Sequence, residues 1–237
     1  RVFCLSRGLG DVYKRQGILW GALGGAALAA IHGIATIRFR ADQIVSGIAV
    51  NILAVGSTRF ALRVAFGSSS NSPRVPGGAS AILELGGLLS IVCLAMILDK
   101  TRLGLRVRAV GEHPEAAATV GISVSRIRYV AVIASGVLAG LGGTFLALDQ
   151  HQFSDEMTAG RGFIALAAVI FGRWHPYRVG AACLLFAGAE ALEINLQGTS
   201  AIPSQFVAMI PYVLTIVALA GMVGRSVPPA ALGKSGH

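Results

Sequence analysis

The sequence predicts an all-α fold: a polytopic bundle of transmembrane helices, about seven spans in this chain, with the C-terminus in the cytoplasm. Three observations predict it. Apolar residues make up 54% of the chain and charged residues 13%, with a mean hydropathy of +0.69. A soluble domain is nearer a quarter charged, so there is too little charge here to coat a water-facing surface. The apolar residues come in runs of roughly 20, the length that crosses a bilayer. The basic residues fall between those runs, in alternate loops, as cytoplasmic loops do. The net charge of +9 has a nucleic-acid explanation as well. The basic residues form no single patch, however, and no nucleic-acid partner is expected.

Residues 1–16, RVFCLSRGLGDVYKRQ, read unlike the rest. They resemble translated sequencing-adapter strings and are expected to be a non-native head, standing where natural N-terminal spans belong. A genuine basic loop is the alternative. Gly17–Ile37 qualifies as the first span. Gln43–Phe66 is the second, less clean because Asn51, Arg59 and Arg63 lie in it. Gly67–Ser80 is a Ser/Pro/Gly loop. Ala81–Leu98 spans, and Asp99–Arg128 is long, polar and basic. Tyr129–Leu148 spans, and Asp149–Gly160 is a polar loop. Arg161–Gly172 is apolar but short; it spans only if Thr158–Gly160 join the helix, and is otherwise re-entrant. Val179–Leu196 and Gln205–Gly224 complete the set. The transmembrane domain is thus 17–224 and the cytoplasmic tail 225–237.

Orientation follows from Lys and Arg. Arg38 and Arg40 mark one loop. Lys100, Arg102, Arg106, Arg108, Arg126 and Arg128 mark the long loop 99–128. Arg173 and Arg178 mark a third, and Arg225 and Lys234 the tail. These segments are expected in the cytoplasm. The intervening loops carry only Arg74. The head would then lie outside with four basic residues, against the pattern, which argues separately that it is foreign.

Several polar residues lie within apolar runs. Asn51 can bond across helices or contact a solute. Glu190, Glu193 and Gln197 share one helical face at i, i+3 and i+7. Intramembrane carboxylates are costly and face polar interiors, so these are candidates for a solute path or a subunit contact; plain solvation at the outer interface is the alternative. Gly21 with Gly25, and Gly136, Gly140 and Gly143, fit helix–helix packing. Arg59 and Arg63 can extend toward the interface. Cys4, Cys93 and Cys183 form no metal spacing or disulfide framework. His32, His113, His151 and His175 show no ligand spacing either, so neither metal nor cofactor is expected. Gly233-Lys234-Ser235 ends like a phosphate-binding loop, but Pro228 stands where that pattern needs glycine. The chain therefore carries no ATP site of its own.

The stretch Gly111–Ile122, GEHPEAAATVGI, carries most information. Pro114 suits a helix's first position, Glu112 and Glu115 suit its N-terminal dipole, Ala116, Ala117 and Ala118 favour helix, and Gly121 suits its end. A helix of about two turns outside the membrane is expected. It serves either as an amphipathic connector or as a docking element.

RAVGEHPEAAATVGI, followed by the glycine-rich span VAVIASGVLAGLGGTFLAL, resembles the cytoplasmic coupling loop of ABC-importer permeases of the branched-chain amino acid, ribose and nucleoside superfamily. GRGFIALAAVIFGRWHPYRVGAACLLFAGAEAL is most similar to the nucleoside-type branch, and ADQIVSGIAVNILAVGSTRF is a weaker match. The resemblance implies an inner-membrane, multi-pass permease subunit. Its partners would be a cytoplasmic ABC ATPase subunit, an identical or different sister permease, an extracytoplasmic substrate-binding protein and membrane lipid. It assigns Glu112, Pro114, Glu115, Ala116, Ala117, Gly121 and Ile122 to ATPase coupling. Gly160, Arg161, Gly162, Gly172, Arg173, Trp174 and Pro176 form a second signature of unassigned role. The expected solute is a nucleoside, or alternatively ribose or another simple sugar. A secondary transporter would need mid-membrane ionisable pairs and inverted repeats, and no convincing repeat is present. An intramembrane enzyme would need a nucleophile–base pair, and none is read at useful spacing.

Overall fold

Asp42 opens and Gly67 closes the helix whose limits the sequence states most directly. The Asp42 carboxylate accepts from the backbone N–H groups of Ile44 (2.8 Å) and Val45 (3.0 Å), capping helix α2, Gln43–Phe66. At its far end Gly67 takes φ +70°, the left-handed conformation that stops a helix. The computed structural model describes residues 2–74, 81–158, 160–197, 209 and 228–233. The expected span Gln205–Gly224 and most of the tail lie outside the described residues.

Before α2 comes α1, Val2–Gly33, continued by a wider π-type turn at Ile34–Arg38. His32 Nδ1 and the buried hydroxyl of Ser46 share a 3.0 Å hydrogen bond that ties α1 to α2. After α2 follow α3, Ala81–Lys100; α4, Arg102–Glu112; α5, Pro114–Thr119; α6, Val124–Asp149; α7, Arg161–Phe171; and α8, Pro176–Gln197. Four stretches among the described residues are long and apolar enough to cross a membrane: Arg15–Arg38, Gln43–Phe66, Val124–Asp149 and Pro176–Leu196. They match four of the expected spans. Helix α3 has 20 residues, about the length a hydrocarbon core needs.

α7 departs from the simplest expectation. Gly160 sits at φ +80° immediately before it, so neither Thr158 nor Gly160 extends the helix. Its 11 residues rise only about 16 Å at 1.5 Å each, roughly half a bilayer core. Together with α8 it makes a hairpin of unequal arms.

The principal packing seam joins α1 to α6. Gly21 and Gly25 face Gly136 and Gly140 so closely that a Cβ on Gly25 would overlap the Gly136 carbonyl oxygen, and one on Gly140 that of Gly21. Thr144 closes the seam against Gly21. Gly143 was expected in this group, but it faces open space. Without a hydrophobic drive between helices in lipid, such backbone proximity supplies the attraction. Elsewhere much of the apolar surface is exposed, including Leu19, Ile52, Phe60, Leu89 and Leu184. That is the distribution of a molecule solvated by lipid and neighbouring helices.

Candidate functional site

Two polar assemblies stand at opposite ends of this bundle. The first is the elbow between α4 and α5. Thr101 caps α4 by accepting from the Gly104 N–H at 3.1 Å. Gly104 lies against the carbonyls of Ile97 and Leu98 at the end of α3, with no room for a Cβ. Arg108 Nη2 donates to Asp99 Oδ1 at 2.7 Å, and its Nε donates to the Leu98 carbonyl at 3.1 Å. The Leu98 carbonyl is one that α3 leaves without a helical partner, so Arg108, with Gly104 packed close beside it, locks α4 onto α3.

At Glu112 the helix stops because His113 precedes a proline, which disfavours helical backbone there; His113 adopts φ −137°, ψ 80°. Pro114 then starts α5 at its first position, with Glu115 in the first turn. The helix has six residues, slightly shorter than expected. Gly121, at φ +82°, ends the elbow. Its N–H donates to Ala118 O at 3.0 Å, and the Ile122 N–H donates to Ala117 O at 3.1 Å. These are the paired bonds of a Schellman cap. Ala117 is buried, whereas Glu115 and Ala116 are exposed and Val120 is 74% exposed. α5 therefore presents a small, partly apolar outer face on a fixed base.

The elbow also holds a contact that sequence reasoning missed. The tail returns to it: Ala231 N–H donates to Gly111 O at 3.0 Å, and Ala230 N–H to Glu112 Oε2 at 3.5 Å. The tail and the elbow therefore lie on one face of the bundle. No spacing rule foretells a bond across 118 positions.

The second assembly surrounds α7. Arg161 and Glu190, expected in separate roles, meet: Arg161 Nη2 donates to Glu190 Oε1 at 2.7 Å, while Arg161 Nη1 donates to Met157 O at 3.1 Å. Arg59 reaches the loop after α6. It donates from Nε to Asp155 Oδ2 at 2.7 Å and from Nη2 to Glu156 Oε1 at 3.1 Å. The segment bearing those carboxylates also binds the loop after α2. Ser72 N–H donates to Phe153 O at 2.9 Å and Asp155 N–H to Ser70 O at 2.7 Å, with Asn71 and Ser154 paired antiparallel.

The remaining predicted residues are dispersed. Asn51 is exposed on α2. Glu193 is half-buried on α8, and the side chain of Gln197 lies outside the described residues. Gly162 faces open space, and Gly172 presses on the Val179 backbone. Arg173 and Trp174 both adopt left-handed φ, +52° and +61°, where a side chain costs roughly 1 kcal/mol or more each. Their N–H groups donate to Ile170 O and Val169 O at 3.1 Å, so Arg173 occupies the capping position usually given to glycine. Pro176 begins α8.

Residues 16–219 match the family described as the branched-chain amino acid transport system permease component. The chain is 41% identical to the guanosine ABC transporter permease protein NupQ of Bacillus subtilis (strain 168), over 88% of this chain and 73% of that protein. It is 39% identical to the nucleoside ABC transporter permease protein NupC of Lactococcus lactis subsp. cremoris (strain MG1363), over 91% of this chain and 75% of that protein. A second guanosine ABC transporter permease protein of the same Bacillus strain, NupP, is 25% identical over 81% of this chain and 61% of its own. No solved structure matches significantly.

Proposed function

The chain belongs to the branched-chain amino acid transport permease family, a family of inner-membrane transport subunits and not of enzymes, and on that premise we propose that it is the nucleoside permease of an ATP-driven importer. The observation that carries the solute class is the 41% and 39% identity, over about nine-tenths of the chain, to permeases named for guanosine and for nucleosides.

The elbow is the part suited to receive force. A separate ATPase subunit binds α5 through Glu115, Ala116 and Val120. A push on α5 reaches α3 through Gly104 and Arg108 and reaches α6 through the short Gly121–Ser123 link. It reaches α1 through the glycine seam. Rigid, locked attachments transmit displacement where flexible ones would absorb it. Glu112, Pro114, Ala117, Gly121 and Ile122 set the geometry of this lever. The tail, bonded to Gly111 and Glu112, lies on the ATPase side, in keeping with a cytoplasmic C-terminus. The full scheme has seven spans, with 17–224 as the transport domain, 225–237 as the tail and α7 as the helical half of a broken span.

The sister subunit is a different chain. One Bacillus strain carries two distinct guanosine permease proteins, to which this chain is 41% and 25% identical; a NupP-like permease is the partner proposed. An extracytoplasmic binding protein delivers the solute.

The test is uptake of labelled uridine, adenosine and ribose by a nucleoside-uptake-deficient bacterium expressing the full-length permease with its ATPase, sister permease and binding protein. ATP-dependent nucleoside uptake is expected. Uptake of ribose alone would transfer the protein to the sugar branch, and uptake without an ATPase would overturn the importer reading.

A further inference from the structure

Charge from two candidate spans gathers on one stretch of chain. Arg59 lies in the candidate span Gln43–Phe66 and Glu190 in the candidate span Pro176–Leu196. Arg59 stands seven residues before Phe66, the last residue of α2, about 10 Å inside that end, and Glu190 lies within α8. A charge at such depth must find a partner or water. Both find the same stretch of chain: Arg59 holds Asp155 and Glu156, and Glu190 holds Arg161.

That stretch is neither helix nor strand. His151 and Glu156 adopt left-handed φ, +59° and +57°, as does Gly160 at +80°. Residues 150–158, between α6 and α7, therefore run as irregular backbone beside the two charged spans. Its peptide groups would be ruinous against lipid; such backbone persists at membrane depth only where protein covers it or water fills a cavity beside it. One edge is fastened to the loop after α2 by the bonds of Ser70 and Ser72, and Met157 is tucked beneath, 8% exposed. The fastenings are open to competing partners: the Arg59 side chain is 46% exposed and that of Glu156 73%.

Resting on the importer reading above, we propose that residues 150–158 form the outer gate of the solute path, latched to α2 through Arg59 and to α8 through Arg161–Glu190, and that this latch parts and recloses in each import cycle. A binding protein docked outside opens it by competing for the exposed charges. Recoil of α7, which begins at Arg161, closes it.

The experiment uses the complete transporter with its native cysteines, Cys93 and Cys183 among them, replaced by alanine and carrying Asn71→Cys with Ser154→Cys. Paired residues on antiparallel chains stand at disulfide distance. Oxidation is expected to lower ATP-dependent uptake at least about tenfold, and a reductant to restore it. An oxidised transporter that imports at the reduced rate overturns the gate. If neither the reduced nor the unmodified transporter imports with ATP, the importer reading fails instead, and a second measurement decides the gate alone. In proteoliposomes, Met157→Cys is labelled from outside by an impermeant thiol reagent with and without Arg59→Gln. Labelling about tenfold faster without Arg59 supports the latch; equal rates overturn it.

Discussion

Arg161 and Glu190 stand 29 positions apart and meet at 2.7 Å, joining the first residue of α7 to the upper half of α8. Both side chains remain partly exposed, 39% and 46%, and Glu190 lies in a candidate span. Glu190→Lys is expected to lower the detergent melting temperature more than Glu190→Gln, because it adds repulsion to loss. Combining Arg161→Glu with Glu190→Lys should recover most of the difference. A double-mutant cycle showing no coupling would remove the pair from any structural account.

The α1–α6 seam separates two classes of glycine. Gly25→Ala and Gly140→Ala place a methyl group against backbone that cannot yield, and each is expected to destabilise by about 1–3 kcal/mol. Gly24→Ala and Gly142→Ala meet no neighbour and should stay within about 0.5 kcal/mol of the parent. Thermal unfolding in detergent measures both sets; equal shifts would show that the seam does not hold the helices.

Gly121 ends α5 at φ +82°. Gly121→Val, which resists that conformation, is expected to cut uptake about tenfold or more while ATP hydrolysis continues, because a lever displaced by an ångström loses its fit. Gly121→Asn, whose side chain tolerates the left-handed region, should retain most uptake. Parallel measurement of hydrolysis and transport separates uncoupling from misfolding.

Val120, the residue just after α5, is among the most exposed apolar residues, at 74%. Val120→Asp is expected to weaken association with the ATPase about tenfold or more, through desolvation of an unpaired charge. Its membrane insertion should be unchanged. Co-purification of the ATPase subunit reads the effect, and undiminished recovery would point away from α5 as the docking face.

The fold was legible where local chemistry speaks. Asp42, Gly67, Pro114 and Gly121 each impose a backbone state within one or two residues, and the elements they bound stand where expected. The length of α7 turned on Gly160, whose φ no pattern discloses until its neighbours are placed. Arg161 and Glu190 were both singled out, yet as members of different groups. Arg59 with Asp155 spans 96 positions, and Ala230 with Glu112 spans 118. Pairings of that range depend on how helices are arranged, and helical periodicity carries no record of it. The glycine faces of α1 and α6 were each visible alone; that they belong to each other emerged only in three dimensions.

That mutual fit sets a timetable for biogenesis. Gly25 leaves the ribosome 111 residues ahead of Gly136, an interval of roughly 5–20 s at ordinary elongation rates. Throughout it α1 lies in lipid with its flattest side unmatched by α6, available to any small-faced helix that drifts past. A slow stretch of message between the two would lengthen that exposure, and an insertase that shelters α1 until α6 arrives would cancel it.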